Sequence, residues 1–482
     1  MRKTPIFLAI FFLLPVAAQP QTKESKVARF HGGNLDLRLA VSGAYFHGIG
    51  GGSAFLGGLG SHSDASSLYW NPAALGQLSR RSVVLDFAPP LGGDVAGMLD
   101  LNERAADAID DGLEGNLEKD AIIKHPKVGL DFSQRGAISA GAAAILLSGG
   151  WTVAAGYFRP LNVKLEALTS GLESKVITRV TISEGKRDII FNSFVDTALD
   201  FRFDLSAVSL AAARRFPLGP SVGIALSRYR AEATIDGHAA IDGLMIFGGQ
   251  EHIFNNPADP WPNDLTQAIH GRYEGNGWSV KLGAFYPFRT YLVFQAIVNL
   301  SFPIGMTGDL NILQNRIPAL NLGVLFGNGD NEEILDPARL KLTQLTLTER
   351  VQEKTYPRLE MRFPHEIGLG VAARLGFVEG AINYTRYLGD LSFGYGPYRV
   401  GAELEHGVRL GLDFNYARLG LGILTGHETR LSRGEEKSQR TPFIVPIASI
   451  GGGTTFLRIY QVTLQLEALP SPTLLVSFGL DF

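Results

Sequence analysis

Residues Leu474–Phe482 read L-L-V-S-F-G-L-D-F, and their alternation decides how the rest of the chain is read. Leu474, Val476, Phe478, Leu480 and Phe482 share one side of an extended strand, while Leu475, Ser477, Gly479 and Asp481 share the other. A two-residue period is that of a β-strand. The nine residues suit a tilted strand that crosses a bilayer, for which about 9–11 are needed. One face is wholly apolar; the other is small or polar. A strand of a soluble sandwich alternates in the same way, so the choice falls to the rest of the chain.

The chain begins MRKTPIFLAIFFLLPVAAQPQ. Arg2 and Lys3 precede an apolar run, Ile6–Val16, and the small residues Ala17 and Ala18 follow it. This is the pattern of a secretory signal peptide over 1–18, and the run is too short for a spanning helix. The 482 residues include no cysteine, so an exported chain of this kind relies on a hydrogen-bonded framework or a core instead of disulfides. No later run approaches the ~18 apolar residues of a membrane helix. Yet mean hydropathy is +0.09, with 57 Gly and 29 Phe. A closed β-barrel in an outer membrane, in contact with its lipid, satisfies all of these conditions. A net charge of −3 gives no reason to expect a nucleic-acid partner. No Pro/Ser-rich linker divides the chain, so 81–482 reads as a single all-β membrane barrel.

Alternating segments recur from Ser82 onward: Ser82–Ala88, Ala137–Leu147, Trp151–Leu165, Ile190–Arg214, Ser221–Ala239, Gly277–Pro287, Tyr291–Ile304, Phe363–Arg374, Phe377–Leu388, Val400–Phe414, Ala417–Arg430, Phe443–Ile450, Phe456–Ala468 and the closing strand. That is about fourteen antiparallel strands, an even number as expected of such barrels. Connections fall into two classes. Those at Ser148–Gly150, Pro217–Pro220, Phe288–Thr290, Leu375-Gly376, Asn415-Tyr416 and Gly451–Gly453 are short and share one end. The other end receives Leu91–Gln134, Thr169–Arg187, Asp242–Asn276, Thr307–Glu360, Gly389–Arg399 and Leu431–Thr441 as long loops, with one short member, the last hairpin Leu469–Thr473. Short periplasmic turns and long outer loops are the expected asymmetry. Leu101, Ala105, Ile109, Leu113 and Leu117 recur every fourth residue and predict an amphipathic helix in the first long loop.

Polar residues along single strand faces point to the lumen. Glu403, Glu405, Arg409 and Asp413 oppose Leu404, Val408, Leu410 and Leu412, so a salt-bridged lumen lining is expected, not a catalytic carboxylate pair. The ten histidines show no metal-ligand spacing, and no G-x-S-x-G elbow occurs. No enzyme, metal or cofactor is expected. One outer loop holds an apolar cluster, Leu244, Met245, Ile246 and Phe247, with Phe254 beyond it. Exposed loops carry such side chains where they pack together or bind something.

Gly48–Leu75 is glycine-rich and poor in strand residues. It lacks the third glycine of a dinucleotide loop and the Gly-Lys-Ser/Thr of a phosphate loop, and reads as a plug packed against barrel walls. Asn71 suits a helix cap and Pro72 the first helical position.

Together, Ser63–Ser67, Leu68-Tyr69-Trp70 and Asn71-Pro72-Ala73-Ala74-Leu75 resemble the amino-terminal hatch of the FadL/TodX outer-membrane transporters and related PorV-like barrels. Asp204–Leu210, leading into Ser221–Arg230, and the terminal Phe482 are also similar to that family. The resemblance implies a 14-stranded barrel with a hatch over 19–80 that carries hydrophobic molecules such as fatty acids or aromatic hydrocarbons. Asn71, Pro72 and Ala73 would set the hatch conformation. Loops after the fifth and seventh strands, here Asp242–Asn276 and Thr307–Glu360, would build an outer hydrophobic groove, with Leu244, Met245, Ile246, Phe247 and Phe254 of the first facing the ligand. Pro160, in the third strand, would mark the bulge beside a side window. Phe482 would address the barrel-assembly machinery. The alternative within the resemblance is a PorV-like barrel that binds exported proteins or secretion machinery.

Overall fold

The computed structural model describes residues 25–44, 49–50, 63–89, 91–94, 101–113, 115–134, 137–182, 185–247, 249–254, 265–289, 291–316, 349–356, 358–395, 398–414, 416–431, 441–456, 460–469 and 473–482. The expected signal peptide, 1–18, lies outside them. So does 317–348, the centre of one long loop.

Two strands, β1 (Ser25–His31) and β2 (Asn34–Ser42), come first. An inner segment follows with helix α1 (Ser67–Trp70) and a 3-10 helix (Pro72–Gln77). Then come β3 (Ser82–Ala88), β4 (Leu91–Asp94), helix α2 (Leu101–Leu113), β5 (Leu117–Lys124), β6 (Lys127–Gln134) and β7 (Ala137–Leu146). Three long strands follow: β8 (Trp151–Ile182), β9 (Gly185–Arg215) and β10 (Ser221–Phe247). Next are β11 (Gln250–Phe254), β12 (Leu265–Arg289), β13 (Leu292–Ser301), β14 (Ile304–Arg316), β15 (Glu349–Thr355), β16 (Arg358–Arg362) and β17 (His365–Leu375). The last are β18 (Val378–Leu388), β19 (Asp390–Tyr395), β20 (Tyr398–Asp413), β21 (Ala417–Leu431), β22 (Thr441–Phe456), β23 (Tyr460–Leu469) and β24 (Thr473–Asp481).

Neighbours pair antiparallel around a ring that shuts where β24 meets β3, with Phe478 opposite Leu85. Phe482 and Arg81 clamp this seam by exchanging backbone hydrogen bonds of 2.9 and 3.0 Å. Several strands continue one another across a short break, as β13 and β14 do along β12. Counted this way the wall is a closed barrel of 14 antiparallel strands. A closed sheet leaves no open edge, so its backbone polar groups are satisfied without water.

The closing strand lies as its alternation predicts. Phe478 is 46% exposed on the outer face, whereas Ser477 is 5% and Leu475 1% exposed inside. The same division runs around the barrel. Leu85, Val208, Leu210, Ile224, Leu282, Leu369, Ile382, Leu421 and Leu464 face outward, and Val84, Ala211, Ala225, Ala372, Ala381 and Gln465 are buried inside. This apolar band has two rims where guanidinium groups sit over aromatic rings. At one end Arg214 lies 5.5 Å from the Trp151 ring and Arg289 lies 5.6 Å from Phe288. At the other, Arg228 lies 5.6 Å from Trp278, its partner across the sheet. Aromatic belts of this kind bound the lipid-facing band of a membrane barrel.

Beyond the second rim the two faces exchange character. Arg202, Asp204, Arg230, Glu232, Arg272 and Glu274 now point outward and form ion pairs such as Arg230–Glu232 at 2.7 Å and Arg272–Glu274 at 2.9 Å. Inward, Phe203, Leu205, Ala231, Ala233, Tyr273, Ile304, Met306, Leu359 and Met361 form one buried apolar cluster. Opposite walls touch there: Phe203 on β9 is 6.4 Å from Phe393 on β19, and Tyr229 on β10 stacks on Phe363 at 6.2 Å. Here the barrel is flattened into a sandwich with a packed interior.

This outer half corrects the expectation of long loops. Thr169–Arg187, Asp242–Asn276 and Gly389–Arg399 are largely strand, because the wall simply continues past the apolar band. Their outward charges conceal the continuity in sequence. The expected helix is present as α2, with Ala105, Ile109 and Leu113 buried, but Leu117 starts β5. Glu403 does not share the inner face with Arg409. A bulge between Leu404 and His406 inserts one residue, turning Leu404 inward and Glu403 to the opposite face.

Of the stretch 19–80 expected to form the plug, β1 and β2 belong to the wall. Strand β2 pairs antiparallel with β8, Ala40 opposite Lys164, and parallel with β6, Leu37 opposite Leu130. It wedges between the second and third wall strands, whose own pairing stops at Ala140–Phe158.

Candidate functional site

Inside the barrel, the turn at Asn71 is, among the described residues, the tightest point of contact between the inner segment and the wall. Asn71 is fully buried and extended, and its Oδ1 accepts from Ala73 N at 3.0 Å, which caps the 3-10 helix that Pro72 begins. The Nδ2 group donates to Gln295 Oε1 on β13 at 2.6 Å and to Ala284 O on β12 at 3.1 Å. One side chain thus fixes both the local turn and its seat on two strands.

Glycines in the wall make that approach possible. A Cβ at Gly283 would lie 2.0 Å from Asn71 Oδ1, and one at Gly223 would lie 2.4 Å from the Pro72 carbonyl carbon. Ser221 Oγ donates to Ala73 O at 2.7 Å, and Gln77 Nε2 donates to Ser221 Oγ and Gly219 O at 2.9 and 2.8 Å. Asn71, Pro72 and Ala73 therefore converge on strands β10, β12 and β13.

The rest of the segment is tied by longer reaches. Lys281 Nζ donates to Tyr69 O at 2.5 Å and lies 5.1 Å from the Tyr69 ring. Tyr69 donates its hydroxyl to Ala44 O at 3.1 Å, and burial pushes that phenol well above its ordinary pKa. Trp70 Nε1 donates to Ile49 O at 2.7 Å, and Gly50 N donates to Asp86 Oδ2 on β3 at 2.9 Å. Lys281, Gln295, Ser221, Gly223 and Gly283 were not legible as site residues. A glycine or serine at an inward strand position resembles any other lumen lining until its partner on the inner segment is placed.

The apolar residues expected near a ligand divide between faces. Met245 and Phe254 are buried, and Phe254 meets Phe191 edge to face at 6.2 Å; Phe191 is opposite Met245 in the sheet. Leu244 and Ile246 sit on the other face of β10, half-buried. Phe247 ends β10 opposite Gln250 in the β10–β11 hairpin. The β10–β11 hairpin that carries them lies at the far outer end of the wall, away from the Asn71 turn.

Pro160 sits where the register of β8 against β9 shifts, between Phe158 and Leu161. A bulge there suits a residue with no backbone donor. On the other side of β8, this is also where β7 stops pairing and β2 starts. Gly43, at φ +138, passes so close that a Cβ would lie 2.4 Å from Pro160 O. Residues of this chain thus occupy the gap between the second and third wall strands above the bulge.

No family model matches the chain, and no curated protein does. Among solved structures it is similar to the P. putida toluene transporter TodX, at 11% identity and a TM-score of 0.47, over 91% of this chain and 99% of that one. It is similar to a Pseudomonas aeruginosa FadL homologue at 10% identity and a TM-score of 0.45, over 92% and 98%. The Ralstonia pickettii toluene transporter TbuX gives 11% identity and a TM-score of 0.40, over 91% and 99%.

Proposed function

We propose that this protein is a bacterial outer-membrane channel for the passive uptake of hydrophobic small molecules, exported through the signal peptide at 1–18 and folded by way of Phe482. The observation that supports this most is the exchange of faces in the outer half. A channel for polar solutes has a wet, polar lumen. Here Leu205, Phe203, Ile304, Met306, Leu359 and Met361 line the interior instead, and the charges lie outside. An interior of that character solvates an apolar molecule and excludes a hydrated one. Beneath it the inner segment, seated through Asn71, serves as the hatch. An apolar molecule would partition into the outer interior, move past the seated hatch, and leave sideways into the membrane.

Reconstitution into vesicles tests this. The protein is expected to speed the entry of an apolar aromatic fluorophore and not that of a hydrophilic dye of similar size. Equal acceleration of both, or of neither, refutes the reading.

A further inference from the structure

Among the described residues the outer interior is filled by packed apolar side chains, so a molecule that enters it displaces some of that lining. One segment differs from the other wall strands. The run β1–β2 continues into the inner segment through Gly43. Its pairing with β6 is parallel, as is that of β1 with β5, in a wall that is otherwise antiparallel; parallel ladders are slightly weaker per residue. The run is interrupted at Gly32-Gly33, with Gly33 at φ +62, so β1 and β2 are separate stretches.

Its side chains join two environments. Leu35, Leu37 and Leu39 are buried within the apolar cluster and form part of its lining. Outward, Arg29 and His31 meet Glu173 of β8 at 3.1 and 3.2 Å and Arg38 reaches Glu166 at 3.9 Å; surface pairs of this kind add little hold. With β2 withdrawn, β6 and β8 would stand two strand spacings apart, about 9–10 Å, which admits an aromatic ring or an acyl chain. Gly43 lies at the foot of this slit, a hinge in a backbone region that favours glycine.

We infer that Ser25–Ser42 is a displaceable wall strand, and that its withdrawal opens a slit between β6 and β8 through which an apolar molecule reaches the interior from outside, beyond the apolar band. This rests on the uptake reading above. The ladder bonds and three buried leucines keep the closed form dominant, so the open form is a minor state that a ligand draws upon.

Because the chain has no cysteine, thiols can be placed without interference. In vesicles carrying the full chain, Ala40→Cys with Lys164→Cys, opposite each other in register, locks β2 to β8 on oxidation. Uptake of phenylnaphthylamine is expected to slow on the order of tenfold and to recover on reduction. A control lock, Asp204→Cys with Glu232→Cys between β9 and β10, is expected to change nothing. A second readout does not depend on transport. Leu37→Cys and Leu205→Cys replace residues each 1% exposed. A membrane-impermeant maleimide is expected to modify the first on the order of tenfold faster. Equal labelling, or undiminished uptake in the locked protein, overturns the inference. If the wild-type protein takes up no fluorophore, the channel reading fails on its own, and the labelling comparison still decides the strand.

Discussion

Replacing Gly283 by Ala puts a carbon where Asn71 already has its oxygen. The new Cβ would lie 2.0 Å from Asn71 Oδ1 and 3.0 Å from Ala73 N. Ordinary contact begins near ~3.5 Å, so the Asn71 side chain must retreat by roughly 1.5 Å. A shift of that size breaks its bonds to Gln295 at 2.6 Å, to Ala284 at 3.1 Å and from Ala73 at 3.0 Å. At about 1 kcal/mol per bond, the seat weakens by about 3 kcal/mol. With 1.4 kcal/mol per factor of ten, the unseated population rises about a hundredfold. Hydrogen exchange on peptides covering 63–80 reads this directly: protection there is expected to fall by about that factor, with β23 and β24 unchanged. Gly305→Ala is the matched control, since nothing lies within 4 Å of its added carbon. Unaltered exchange in Gly283→Ala would refute the idea that wall glycines hold the inner segment in place.

Other consequences follow from the same geometry. Arg418→Met removes the Nε–H that donates to Asp413 Oδ2 at 2.9 Å within the buried lumen, and should cost about 3–5 kcal/mol in denaturant unfolding. Adding Asp413→Leu should recover much of that loss, and no recovery would show that the pair is not the cause. Phe478→Arg puts a charge on the lipid-facing band and should cost up to about 2–4 kcal/mol on folding into vesicles. Gln461→Arg, on the lumen side of β23, should be close to neutral, and equal penalties would mean the faces are wrongly assigned. Gly43→Ala forces a side chain into φ +138 against Pro160 O, so exchange across β2 should quicken while Gly305→Ala leaves it unchanged.

What the sequence determined by itself was the barrel: the two-residue alternation of Leu474–Phe482 and its counterparts, the even strand count and the faces of the apolar band. These are local properties, since successive side chains of a strand point to opposite sides wherever the strand lies. The cap at Asn71 and the helical start at Pro72 were legible for the same reason. Only the tertiary structure decided what each face meets. In β9, Phe203 and Leu205 alternate with Arg202 and Asp204 just as Leu210 alternates with Ser209, yet the apolar side faces inward in the first case and outward in the second. The alternation cannot say at which height lipid gives way to water. Nor could it show that Leu35, Leu37 and Leu39 complete a wall with Thr169, Ala167 and Leu165 of β8. Their partners are distant in sequence, and Gly223 and Gly283 likewise gain meaning only once the Asn71 turn is pressed against them.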